Sequence, residues 1–290
     1  NPDAKVWKDR SVVNVSPQLI GYPENELEMA PALELQKFTA THRLVQRDPS
    51  DQPGLKAGQS VTADFGTNLT GFIGVEVECQ ETTTLYLTFD EFLQESGKTD
   101  FLRLGCANAI RLDIAPVAYS FESAEPYTFK VLEAVCTKGS CTIKRATLRE
   151  LCGPDFEAAT FACSDHKLNR IYLAAVESLR QNALDSFYDC PSRERAGWLC
   201  DSFFTARTAF LLSGSTDIEE DFLENFLLPD SVPGVPQGML PMCYPSDHSD
   251  GVFIPQWSLW LILQLHEFPK RSGSVDLVRR FEPKLTALLN

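Results

Sequence analysis

Asp189-Cys190-Pro191-Ser192-Arg193-Glu194-Arg195-Ala196-Gly197-Trp198-Leu199-Cys200-Asp201 is the stretch on which the reading of this chain turns. Pro191 suits the first turn of a helix, where no partner is needed for its missing N–H. Continued as a helix at about 100° per residue, the segment sorts into two faces. Ala196, Leu199, Phe203, Ala206 and Phe210 form an apolar stripe. Glu194, Trp198, Asp201 and Thr205 fall opposite, so two carboxylates flank an indole near a helix N-terminus. Such a face has a bland reading, a solvated helix side with an incidental Trp. It has a chemical one too. Glycoside hydrolysis needs a carboxylic acid to protonate the leaving oxygen and a second carboxylate acting across the ring, and an aromatic face packs on sugar C–H groups.

Around this segment the chain changes character twice. Residues 1–34 carry scattered prolines without periodicity and read as an extended connector. Residues 35–155 are short β-rich runs separated by turn signals. Val61–Phe65 precedes a turn at Gly66-Thr67-Asn68, and Gly71–Cys79 resumes. Thr83–Phe89 sets Leu85, Leu87 and Phe89 on one side against Thr84, Tyr86 and Thr88 on the other. Ala109–Ile114, Thr128–Cys136 and Cys141–Leu148 follow. Short strands at this spacing predict an antiparallel β-sandwich.

Beyond Gly153-Pro154, residues 156–290 read as helical. Ser164 caps a helix over 165–186 with Leu168, Ile171, Ala175 and Leu179 on one stripe. Further helices follow Pro191 and cover 217–228, 257–268 and 275–290. A proline-rich stretch over 229–256 is long for a compact domain, as walls and lids of sites are. It holds Tyr244, Asp247, His248 and Asp250 as candidate pocket polars. The last helix stops without a cap, and the start lacks a Met, so the chain is expected to be part of a longer one.

Composition narrows the partners. With 26 basic against 40 acidic residues and a net charge of −14, no cluster of Lys and Arg is available for nucleic acid or anionic membranes. The longest apolar run, around 259–265, is too short to span a bilayer. No leader peptide opens the sequence, and the compartment stays open. The nine cysteines contain no C-x-x-C pair and no zinc-finger spacing, so they read as free thiols, Cys136 and Cys141 included. Asp247, His248 and Asp250 lack a third ligand at helical spacing, so no metal and no cofactor is expected.

The motif Asp-Cys-Pro-x-Arg-Glu-Arg-x-Gly-Trp-x-x-Asp at 189–201 resembles the signature of the glycoside hydrolase family 78 α-L-rhamnosidases. The likeness extends to Phe161–Asp165, Asn169–Tyr172 and Asn182 ahead of it, and to Asp64–Gly71 in the β-rich part, covering roughly residues 60–270. The fold implied is multidomain β + α, an antiparallel β-sandwich followed by part of an (α/α)6 toroid with its site in the funnel. The resemblance implies an inverting glycosidase that acts on a terminal deoxy-sugar, with Glu194 as general acid. It makes Asp189, Arg193 and Asp201 ligands of sugar hydroxyls and puts Trp198 on the wall of the pocket. Trp257 either stacks on sugar or packs in the core, and Asp189 has an alternative as a helix cap. Arg195 reads as an ion-pair partner, and Gly197 as an aid to close helix packing. The general base is expected beyond residue 290, which would leave this chain inactive alone. Leu199-Cys200 stand where the family has Thr-Gly, and Trp257-Ser258-Leu259-Trp260 lacks an Asp common there. Two rival readings stay open, a catalytically degenerate carbohydrate-binding protein and a glycosidase of the same fold for another sugar.

Overall fold

The structure, a computed structural model, describes residues 41–47, 52–153, 155–246 and 251–289. The connector over 1–34 and the candidates Asp247, His248 and Asp250 lie outside them. The chain divides into two compact units, one of His42–Leu151 and one from Cys152 onward.

The first unit is built on strands, β1 Thr41–Arg47, β2 Gly54–Lys56, β3 Gln59–Cys79, β4 Thr83–Asp90, β5 Ala109–Ile114, β6 Ala118–Glu122, β7 Tyr127–Lys138 and β8 Ser140–Cys152, with one 3-10 turn at Arg103–Gly105. The 21-residue β3 organises it. Its first half pairs antiparallel with β7, from Gln59 opposite Cys136 to Gly71 opposite Tyr127. Its second half takes β8 on one edge and β6 on the other. One strand thus serves both layers of the sandwich, and a single core fills the space between them, with Ile73, Leu85, Leu87, Phe129, Ile143 and Leu148 among its buried side chains.

The turn expected at Gly66-Thr67-Asn68 is instead a bulge within β3. The register slips between Asp64 and Leu69. Gly66 takes the left-handed backbone, with φ 84°, and its N–H donates to Asp64 Oδ1 at 2.7 Å. The turn residues bend the strand without ending it, because both halves find partners. The alternation of β4 also fails to give an exposed face, since every residue of it is buried. The excursion that follows covers the polar side. Thr99 meets Thr88 hydroxyl to hydroxyl at 2.7 Å, and the buried Glu133 accepts from Thr99 N at 3.2 Å and Ser60 Oγ at 2.7 Å.

The second unit is helical: α1 His166–Asn182, α2 Leu199–Ser213, α3 Asp217–Leu227, α4 Pro255–Ser272, α5 Asp276–Arg280 and α6 Glu282–Leu289. Asp165, not Ser164, caps α1, accepting from Lys167 N at 2.8 Å. The predicted α1 stripe is largely solvent-facing. Leu168 is 49% and Ile171 62% exposed, while Tyr172, Val176 and Leu179 pack on the core. Helices α2 and α4 pack side by side in the same direction. Phe203 meets Trp260 at a ring-centroid distance of 4.9 Å, and further along Arg207 Nε donates to Glu267 Oε2 at 2.7 Å. Between them runs a buried polar tie, Ser202 Oγ to Gln264 Oε1 at 2.9 Å and Gln264 Nε2 to Glu219 Oε1 at 3.2 Å. Among the described residues no helix is long and apolar enough to cross a membrane.

Candidate active site

The motif is not on a helix until its end. Residues 190–195 form an irregular loop cinched at a neck, where Asp189 N–H donates to the Ala196 carbonyl at 3.1 Å and Ala196 N–H to Asp189 Oδ1 at 3.3 Å. Arg195 N–H closes onto the Cys190 carbonyl at 3.1 Å, with φ +49°, a left-handed backbone costly for a residue with a β-carbon. Next, Gly197 and Trp198 pair with the chain at Cys243 and Tyr244. Tyr244 N–H donates to the Gly197 carbonyl at 2.8 Å. Helix α2 begins only at Leu199, with Trp198 as its N-cap residue.

The helix expected from Pro191 is therefore overruled by tertiary pairing, which a helical wheel does not anticipate. The apolar half of that wheel still describes the burial. Ala196, Leu199, Phe203 and Ala206 are all buried. Gly197 allows a close backbone approach: a β-carbon there would lie 2.5 Å from the Tyr244 oxygen and 3.0 Å from the Phe222 ring.

Glu194 and Arg193 form an ion pair on the loop, with 25% of the Glu194 side chain and 49% of the Arg193 side chain exposed. Asp201 lies in the first turn of α2, where a carboxylate is favoured by the helix dipole. Burial and then the negative charge of Asp189 raise its pKa. Asp189 does two things at once, a cap-like structural bond to Ala196 and an electrostatic one on Asp201. Among the described residues the half-buried Trp198 finds no acceptor for its buried Nε1–H. Trp257, in the first turn of α4, packs on the helical core, and its buried indole N–H likewise finds none among them. Buried donors left open in a native fold invite explanation, and a ligand oxygen is one. Tyr244, by contrast, is buried against Phe226 with ring centroids 5.8 Å apart, and belongs to the core.

Sequence reading passed over Asp185 and Tyr188, which lead into the neck along the chain. The Tyr188 phenol donates to Asp185 Oδ1 at 2.7 Å. Their spacing of three was the available signal, and it carries little weight outside a helix. Among the described residues no group of three His, Cys, Asp or Glu side chains is arranged to hold a metal ion.

Known proteins resemble this chain in sequence and fold. Residues 156–289 match the model of the bacterial alpha-L-rhamnosidase six-hairpin glycosidase domain. An alpha-L-rhamnosidase of Formosa agariphila is 24% identical over 211 residues, 68% of this chain and 22% of that protein. The crystal structure of a family 78 rhamnosidase of Bacillus sp. GL1 superposes with a TM-score of 0.68 at 25% identity, covering 79% of this chain and 24% of that one. A rhamnosidase of Klebsiella oxytoca with rhamnose bound has the same fold, with a TM-score of 0.67 at 17% identity over 87% of this chain and 56% of that one. The chain thus spans about a fifth to a quarter of the first two relatives. Its architecture is theirs over that span, an antiparallel β-sandwich followed by helices of an (α/α)6 domain.

Proposed function

Because this chain is α-L-rhamnosidase-like, of the glycoside hydrolase family 78 type, we propose that it carries the general-acid side of an inverting exo-glycosidase site for a terminal deoxy-sugar, with Glu194 as the acid. The observation that carries the reading is the cinched loop. It holds Glu194 partly buried in an ion pair with Arg193, on a loop whose neck is closed by Asp189. In this reading Glu194 protonates the glycosidic oxygen as the bond to the anomeric carbon breaks, and water attacks from the opposite face. Asp189, Arg193 and Asp201 bind sugar hydroxyls through charge-assisted hydrogen bonds. Trp198 and Trp257 offer aromatic faces and their open indole N–H groups to the same sugar.

The carboxylate that activates water is, in this reading, supplied from outside the 290 residues, which alone turn nothing over. The solvent-facing apolar side chains of α1, α2 and α4, such as Ile171, Leu211 and Leu259, support this, since a funnel wall would cover them. We also propose the partition into a connector over 1–34, a β-sandwich over 35–155 and a catalytic part over 156–290.

The test is Glu194→Gln in a form of the protein that hydrolyses aryl α-L-rhamnosides. Turnover should fall about 10²- to 10⁴-fold on poor leaving groups, and less on good ones that need little protonation. Unchanged hydrolysis of a poor leaving group would remove Glu194 from the acid's role. An inactive parent that still bound rhamnose would favour a carbohydrate-binding protein.

A further inference from the structure

The Glu194 loop hangs from the neck at Asp189 and Ala196, so whatever fixes Asp189 fixes the loop. The residue ahead of it, Tyr188, is held at both ends. Its backbone N–H donates to the Asn182 carbonyl at 2.8 Å, and its phenol to Asp185 Oδ1 at 2.7 Å. Asp185 is buried, 7% exposed, in the non-helical link between α1 and the motif. A carboxylate is costly to bury and needs donors aimed at it. Phe at 188 and Asn or Leu at 185 would be the cheaper choice if packing were all that mattered. Burial drives the Tyr188 pKa far up, helped by the Asp185 charge, so the hydroxyl stays a donor throughout the working pH range. The Arg195 charge opposes that rise.

We propose that Asp185 and Tyr188 are positioning residues for the Glu194 loop, their hydrogen bond fixing the neck at Asp189 and so the direction in which Glu194 leaves the helical core. The anchoring stands on the geometry alone. Its consequence for sugar chemistry rests on the reading of Glu194 given above.

The test compares Tyr188→Phe, Asp185→Ala and Asp185→Asn in the same longer form of the protein that would be used for Glu194→Gln. Two quantities are measured: backbone amide exchange, and the pH dependence of binding of a rhamnose-configured iminosugar, a cationic probe of the site carboxylates. The Asn variant keeps an oxygen that accepts from the phenol. Loss of one buried hydrogen bond should speed amide exchange at 189–196 about tenfold in the Phe and Ala variants. Exchange in α3 should stay as in the parent, showing an intact core. Iminosugar affinity should fall by a similar factor with a shifted pH profile, and Asp185→Asn should stay within about twofold of the parent. Parent-like loop exchange in Tyr188→Phe would overturn the proposal, as would Asn behaving as badly as Ala. If the parent bound no iminosugar while loop exchange still followed the expected order, the glycosidase reading would fail and the anchoring would stand.

Discussion

At the scale of single residues, the site is built from conflicts that its surroundings resolve. Asp201 is one. Burial and the Asp189 charge raise its carboxyl pKa, so the folded state holds that proton more tightly than the unfolded chain does. Stability from this group is complete below the ordinary carboxylate range and is lost as pH rises through the raised value. Asp201→Asn should therefore raise the melting temperature at neutral pH, with the gain vanishing in acid. A melting series across pH that showed a constant difference would disconnect Asp201 from Asp189. Gly197 is another. Its missing β-carbon lets Tyr244 dock, and Gly197→Ala should cost about 1–3 kcal/mol in denaturant unfolding, the usual cost of overpacking. A neutral substitution would mean that the docked segment moves aside without loss.

Elements show a division of labour between apolar and ionic contacts. Helices α2 and α4 are joined by aromatic packing at Phe203 and Trp260 and by Glu267, which accepts from Arg207 on α2 and from Arg271 one turn along its own helix. Hydrogen bonds from Arg207 and Arg271, with their charges, take the Glu267 pKa down to about 2 against the pull of burial. A carboxyl depressed in this way stabilises above its unfolded pKa and loses that contribution as pH falls from about 4.5 towards about 2. Glu267→Gln should cost about 1 kcal/mol at neutral pH, since the pair is partly exposed, and nothing at the acid end. Equal loss at both ends would assign the effect to packing.

For the whole molecule, the governing fact is that each unit has its own core. In the first, the core is drawn from the strands and the links between them. A fragment over 35–155 should be soluble and unfold cooperatively in urea, read by circular dichroism. A fragment without a cooperative transition would make the sandwich dependent on the helical unit.

Local pattern by itself determined the division into a β-rich part and a helical part. Alternation in 83–89 and 109–114 specified strands, the α2 stripe from Leu199 specified a buried helix face, and the residues at 189–201 carried the resemblance to the family 78 α-L-rhamnosidases. These are properties of neighbours along the chain, where periodicity and burial coincide. Tertiary structure decided the rest. Cys243 and Tyr244 capture Gly197 and Trp198 and delay α2 to Leu199. Partners on both halves turn the Gly66 signal into a bulge, and the excursion after β4 buries its polar face. Leu168 and Ile171 keep their helical stripe but find no core. In each case the outcome depends on residues tens of positions away, and a local propensity worth a fraction of a kcal/mol per residue yields to backbone pairing and packing worth more.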